Sequence, residues 1–304
     1  MDAASGAGGS PASSMIIKGE YDRHLQAEAE AQRIAAEAER AAAEAARRAQ
    51  LEQEHEDAED SKVAKADALQ TANDLVIKDA LKYTTEFSKV CQKPGASDQK
   101  NRLEQTCRDL SMACAAKLGG HEPRNPTFGL NPTTEKTKYV RRIRKEANAS
   151  IGPTSAVLEA IAAKTGCRIE DGTDKNDERV FQKGSRCYGG DLSRVTDYKR
   201  KALIAESFGS LEAAIKEINM QLEVIRIKNR FDKMNKNATA TGGYRDVQLL
   251  VRIKGTDLLL EVQLHIREIY DLKTRVATTK DAEGRTGHER YIEFRNIKEA
   301  AELL

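Results

Sequence analysis

Between Tyr244 and His265 apolar residues alternate with polar ones in two short runs. Val247, Leu249, Val251 and Ile253 share one parity of the first run, and Leu258, Leu260, Val262 and Leu264 share one parity of the second. Period-two alternation predicts two β-strands, 244–253 and 257–265, each with one face turned to a core. The opposite parity carries Tyr244, Asp246, Gln248 and Arg252 on the first strand, and Asp257, Glu261, Gln263 and His265 on the second. A third run, 223–231, sets Ile225, Ile227 and Phe231 against Arg226, Lys228 and Arg230. Upstream, RKALIAES (200–207) reads as a strand and SLEAAIKEINMQL (210–222) as a helix. A strand, a helix and three further strands predict an α+β fold, a mixed sheet of about four to five strands flanked by helices.

The N-terminal half has another pattern. Residues 1–19 are small and polar and predict a disordered tail, and 20–62 is almost wholly Ala, Glu, Gln and Arg. These are strong helix formers, and Leu25, Ile34 and Leu51 do not recur with the 3.5-residue spacing of a coiled-coil seam. The segment therefore predicts a long charged helix, acting as a spacer or as an arm for a protein partner or self-association. In 63–120, Leu69, Leu75, Val76, Ala80, Tyr83 and Phe87, then Leu103, Cys107, Leu110 and Cys114, follow helical spacing. This predicts a helical hairpin region stopped at Gly119-Gly120. Pro123, Pro126 and Pro132 mark 121–134 as a linker, and 135–304 forms the remaining domain.

Composition narrows the function classes. Lys and Arg number 50 against 48 Asp and Glu, so nucleic-acid or membrane binding has no support from net charge and must come from a local patch. The basic segment with Arg141, Arg142, Arg144 and Lys145 is one such patch. Five cysteines without a C-x-x-C pair signal neither a disulfide framework nor a zinc site, and fit a reducing, intracellular compartment, most simply the cytoplasm. No apolar run approaches the length of a membrane span, and 1–14 lacks the marks of a secretory signal.

The polar sheet face has an ordinary explanation, since antiparallel sheets commonly keep one face in water. Its mixture of groups points further. Clustered Lys and Arg suit phosphate, carboxylates suit a divalent metal, and an aromatic ring after Gly242-Gly243 suits a nucleobase.

The stretches TDYKRKALI, IKNRF, GGYRDVQLLV and LLLEVQLH, in this order, resemble the nucleotidyltransferase domain of the RelA/SpoT superfamily, the alarmone synthetases. The resemblance covers 170–295 as its core. It implies that Asp197 and Glu261 are the catalytic carboxylates at the Mg²⁺ site, Asp197 binding the metal and Glu261 helping to hold it or taking the acceptor proton. It implies nucleotide and phosphate contacts from Lys175, Arg179, Lys183, Arg226, Lys228, Arg230, Tyr244, Gln263, His265 and His288, with Tyr291 and Arg295 near the same cleft and the acceptor guanine stacked on Tyr244. The implied reaction is pyrophosphate transfer from ATP to the 3′-hydroxyl of GDP or GTP. The chain departs from the family pattern at Asp246 and Gln248, where the family has Ser and His, and at Lys199, Arg200 and Lys201, which are displaced against the family's strand Arg. An acid such as Asp246 beside a phosphate would repel it. No His-Asp dipeptide is present, so the hydrolase motif of the family is missing. Two further readings stay open: transfer to an RNA 3′ end, and a catalytically inactive domain that binds a nucleotide or a protein.

Overall fold

The structure is a computed structural model and describes residues 11–232 and 243–301. Residues 1–10 of the expected tail and Gly242 of the GGYR motif lie outside the described residues. The chain divides into two compact units, Met1–Ala68 with Ala300–Leu304, and Leu69–Glu299.

Helix α1 runs from Pro11 to Cys91, so 11–19 of the expected tail is helical and the helix has no break near residue 62. Residues 30–60 are exposed throughout and carry intrahelical pairs such as Arg48 with Glu52. The pattern changes past Ser61. Ala72, Val76, Asp79, Tyr83, Phe87 and Val90 are buried at steps of three and four residues, which places them on one helix face. Helix α2 (Ala96–Leu118) buries Leu103, Cys107, Leu110 and Cys114, the expected face, and packs against the strand Val224–Asn229 and the helix Phe208–Gln221.

Helices α3 (Lys136–Ser150) and α4 (Gly152–Thr165) lead into β1 (Arg168–Asp171), a strand too short to show alternation. Then follow α5 (Asp177–Tyr188), a 3₁₀ turn (Leu192–Arg194), β2 (Arg200–Ala205), α6 (Phe208–Gln221), β3 (Val224–Asn229), β4 (Val247–Arg252), β5 (Leu259–Ile266), α7 (Arg267–Thr278) and α8 (Gly287–Ala301). Among the described residues the strands form one mixed sheet, ordered β1-β2-β5-β4-β3, in which only β2 and β5 run parallel. The fold is α+β, as the alternation predicts.

The core face is the one the parity assigns: Val247, Leu249, Val251, Leu258, Leu260, Val262 and Leu264 are all buried in the main cluster. One strand differs. A bulge between Val224 and Arg226 shifts the register of β3 on β4, so Val224 and Ile227 enter the core while Ile225 crosses to the other face. There Ile225 packs with Leu250, Leu259 and Leu118, making one corner of the expected polar face apolar. No helix among the described residues is long and apolar enough to cross a membrane.

Candidate functional site

Strand register orders the second sheet face into rows. Arg226, Leu250, Glu261 and Arg200 lie side by side across β3, β4, β5 and β2, followed by Lys228, Gln248, Gln263 and Ala202. Asp197 sits just before β2, on a segment held by buried neighbours. Tyr198 is buried and donates its hydroxyl to the Leu192 carbonyl at 3.1 Å, and the Asn125 side-chain amide donates to the Val195 carbonyl at 3.0 Å. The carboxylate thus has a fixed place at the end of the sheet.

Three cations converge on it. Lys183 Nζ lies 2.9 Å from Asp197 Oδ1, and Lys175 Nζ and Arg200 Nη2 lie 2.8 and 2.7 Å from Oδ2. Burial pushes the Asp197 carboxyl up, but Lys183, Lys175 and Arg200 together hold it well below the usual carboxylate range. Burial foremost, against the pull of Asp197, lowers the Lys175 ammonium. Arg200 Nε also lies 3.4 Å from Glu261 Oε1, so one guanidinium spans both carboxylates. Glu261 further accepts a 2.7 Å hydrogen bond from Gln263. Lys228 stands on the same face in the row next to Glu261, and its ammonium is pushed down by burial and by Arg226, Lys183 and Arg230 and drawn up by Glu261. Asp197 and Glu261 therefore share one side of the sheet, on either side of Arg200.

Helix α5 supplies the basic wall. Asn176 caps its N-terminus by accepting from the Arg179 amide; Arg179 and Lys183, four residues apart, share one face of the helix, and Lys175 stands on the loop just before the cap. Gly184 lets this helix close on the 3₁₀ turn, since a methyl group there would come within 2.2 Å of Leu192 Cδ2. The result is a cleft of about 240 Å³ lined by Lys175, Arg179, Gln182, Lys183, Arg186, Cys187 and Arg295. Arg295 comes from α8, whose position is set by Arg290: this buried guanidinium bonds Asp79 Oδ2 through Nε at 3.0 Å and Nη2 at 2.7 Å. The loop carrying Lys175 is fixed by Arg144 of α3, which donates to the Lys175 carbonyl and, at 2.9 Å, to Asp177. Arg142 pairs with Glu146 and lies over Phe128. Two of the four basic groups expected to meet RNA are thus engaged within the chain.

Several expected contacts lie elsewhere. Tyr244 is not an exposed platform: it is 8% exposed, packs edge-on against Tyr83, and has the Lys273 ammonium 5.0 Å from its ring centroid. Its hydroxyl is 2.5 Å from His265 Nδ1, and His265 has no exposed surface. Gly243 has a backbone and packing reason, with φ +83° and a Cβ there coming within 3.0 Å of Ala80 Cα. Arg230 pairs with Asp246 at 3.0 Å, so this acid, 1% exposed, is an interior charge and not a group facing phosphate. Burial raises the Asp246 carboxyl against the opposing pull of Arg230 and Lys273, and burial with Lys273 and Arg230 drives the His265 imidazole well below its usual value. Arg230, Tyr244, Asp246 and His265 form a polar layer beneath α7. His288 is exposed at the start of α8 and does not line the cleft.

Reading by residue type did not bring out Arg200, Arg186 or Lys273. Strand parity applied to 200–205 puts Arg200 on the face opposite Leu203, the β2–β5 pairing brings it beside Glu261, and helical spacing from Lys183 reaches Arg186. Lys273 carries no such signal.

The two carboxylates suit Mg²⁺, which commonly takes one or two protein carboxylates and completes its shell with water and substrate phosphates. Among the described residues no three His, Cys, Asp or Glu side chains converge as a self-sufficient metal set.

No protein-family model matches the chain, and no curated protein matches it. Thirty chains of solved structures do. One is from the complex between the type VI effector Tas1 and its immunity protein, 22% identical with a TM-score of 0.35, covering 55% of this chain and 76% of that one. Another is small alarmone synthetase 1 from Bacillus subtilis, 11% identical with a TM-score of 0.35, covering 56% of this chain and 91% of that one. The same synthetase bound to its product pppGpp matches at 11% identity and a TM-score of 0.34, covering 56% and 92%.

Proposed function

We propose that this chain transfers pyrophosphate from ATP to the 3′-hydroxyl of a nucleotide, with GDP or GTP as acceptor. The observation that carries the proposal is the convergence of Asp197 and Glu261 on one hollow walled by Lys175, Lys183 and Lys228. Phosphoryl-type transfer needs little covalent chemistry from a protein and depends on fixed charge around an in-line path. Mg²⁺, held by Asp197 and Glu261, would supply charge neutralisation at the polyphosphate.

Lys175, Arg179, Lys183 and Arg295 grip the donor phosphates in their cleft. Lys228 and Arg226 stabilise charge at the transferred group. The acceptor oxygen attacks the β-phosphorus while the bond from that phosphorus to the α,β-bridging oxygen breaks, and AMP leaves with the electron pair. The acceptor proton passes to the Glu261 carboxylate and on to water. Because Tyr244 is buried beneath Lys273, a base could stack on it only after displacing that lysine. The same burial favours one competing reading, a domain that binds ATP without turning it over.

Incubation with γ-labelled ATP and Mg²⁺, adding GDP, GTP or tRNA in turn, separates these outcomes. The proposal requires label on the guanine nucleotide, lost in Asp197→Asn and Glu261→Gln with folding retained. Label on tRNA alone would redirect the acceptor to RNA, and ATP bound without transfer to any acceptor would leave a binding domain.

A further inference from the structure

The strand position of Arg200 puts a cation where the acid pair faces itself. Its Nη2 is 2.7 Å from Asp197 and its Nε 3.4 Å from Glu261. The stem is pinned from behind: a methyl group on Gly172 would fall 2.5 Å from Arg200 Cβ and 3.1 Å from its backbone carbon, and the Gly172 amide donates to the Arg200 carbonyl at 3.1 Å. The head fits less well. Nε is buried and has no hydrogen-bond partner, because the 3.4 Å approach to Glu261 lacks hydrogen-bond geometry. Nη2 donates to Asp197 and Nη1 to the Thr173 carbonyl at 3.4 Å, so Nε is the unsatisfied donor, and it has a better partner to gain in a phosphate group, whose oxygens accept parallel N–H bonds.

Charge points the same way. Lys175, Lys183, Arg200 and Lys228 outnumber the two carboxylates they surround, so the hollow repels a free divalent cation and attracts a polyphosphate. Resting on the transferase reading and deepening it, we infer that Arg200 is the resident cation of the acid pair. It occupies the divalent position between Asp197 and Glu261, and moves to phosphate when the donor binds. Two properties follow. The chain takes metal weakly on its own, and Arg200 is a polyphosphate ligand that works without metal.

The test uses the full chain, freed of metal, with Mn²⁺ alone as probe by electron paramagnetic resonance, and separately tripolyphosphate in chelator by calorimetry. Arg200→Gln should bind Mn²⁺ at least about ten-fold tighter than the natural chain, and adding Glu261→Gln should abolish the gain. The same Arg200→Gln should bind tripolyphosphate at least about ten-fold more weakly. Equal Mn²⁺ affinity in the two chains, or unchanged tripolyphosphate affinity, overturns the inference. Should Arg200→Gln fail to fold by circular dichroism, Arg200→Lys takes its place, since an ammonium spans two carboxylates less well than a guanidinium and should shift both affinities in the same directions. A chain that shifts both affinities yet transfers nothing keeps the role of Arg200 and loses the transferase reading. A transferase without the shifts loses the role of Arg200 alone.

Discussion

His265 illustrates how a residue read as a ligand becomes a structural group once its neighbours are known. Alternation places it on the same parity as Glu261, yet α7 covers that end of the strand and leaves the imidazole buried among Tyr244, Asp246, Tyr270 and Lys273. Its folded-state pKa lies below that of the unfolded chain, so the unfolded state binds the proton first. Stability is then lost as pH falls below about 6.5, by up to about 1.4 kcal/mol per pH unit. Asp246, whose carboxyl is raised, acts in the opposite sense: its share is present at low pH and is lost as pH rises through its folded value. The difference between natural chain and variant isolates the histidine. Urea unfolding from about pH 7.5 down to about pH 5 should show a steeper loss in the natural chain than in His265→Gln. Parallel profiles would mean that His265 takes up its proton over the same pH range in the folded and unfolded chains, against the lowering described above.

At the scale of elements, the strands with clean alternation were legible because one face of each is buried against helices. The face assignments of β4 and β5 hold residue by residue for the core set. What alternation could not show was the bulge in β3, since an inserted residue changes parity without changing composition, and this moved Ile225 to the far face. Nor could it show the Asp79–Arg290 pair, whose members are 211 positions apart in the chain. The carboxylates and the basic residues Lys175, Arg179 and Lys183 of the candidate site were visible through the family resemblance alone. The layer beneath α7 was not, because its polar groups are the same residue types a ligand site would use. One element contact has a direct test. Gly172 follows β1 and abuts Cβ and the backbone of Arg200, atoms that cannot swing aside, so Gly172→Ala should destabilise the fold by about 1–3 kcal/mol. A urea midpoint equal to that of the natural chain would show that β1 shifts freely.

For the whole molecule, the exposed segment 30–60 and the sheet unit follow different rules. From residue 30 onward the first buried side chain is Ala72, whereas 30–60 makes surface ion pairs that individually contribute at most about 1 kcal/mol. Arg48→Ala, which removes the Glu52 pair, should therefore leave the unfolding free energy from denaturant titration in place within about 1 kcal/mol, and a larger fall would assign this segment a stabilising role. The most direct examination of the proposed activity is product stoichiometry by phosphorus NMR, with ATP, Mg²⁺ and GDP. The account predicts one AMP released for each GDP that gains a pyrophosphoryl group at its 3′-oxygen, with both products absent from Asp197→Asn. ADP and inorganic phosphate in their place, or product formation undiminished in that variant, would contradict it.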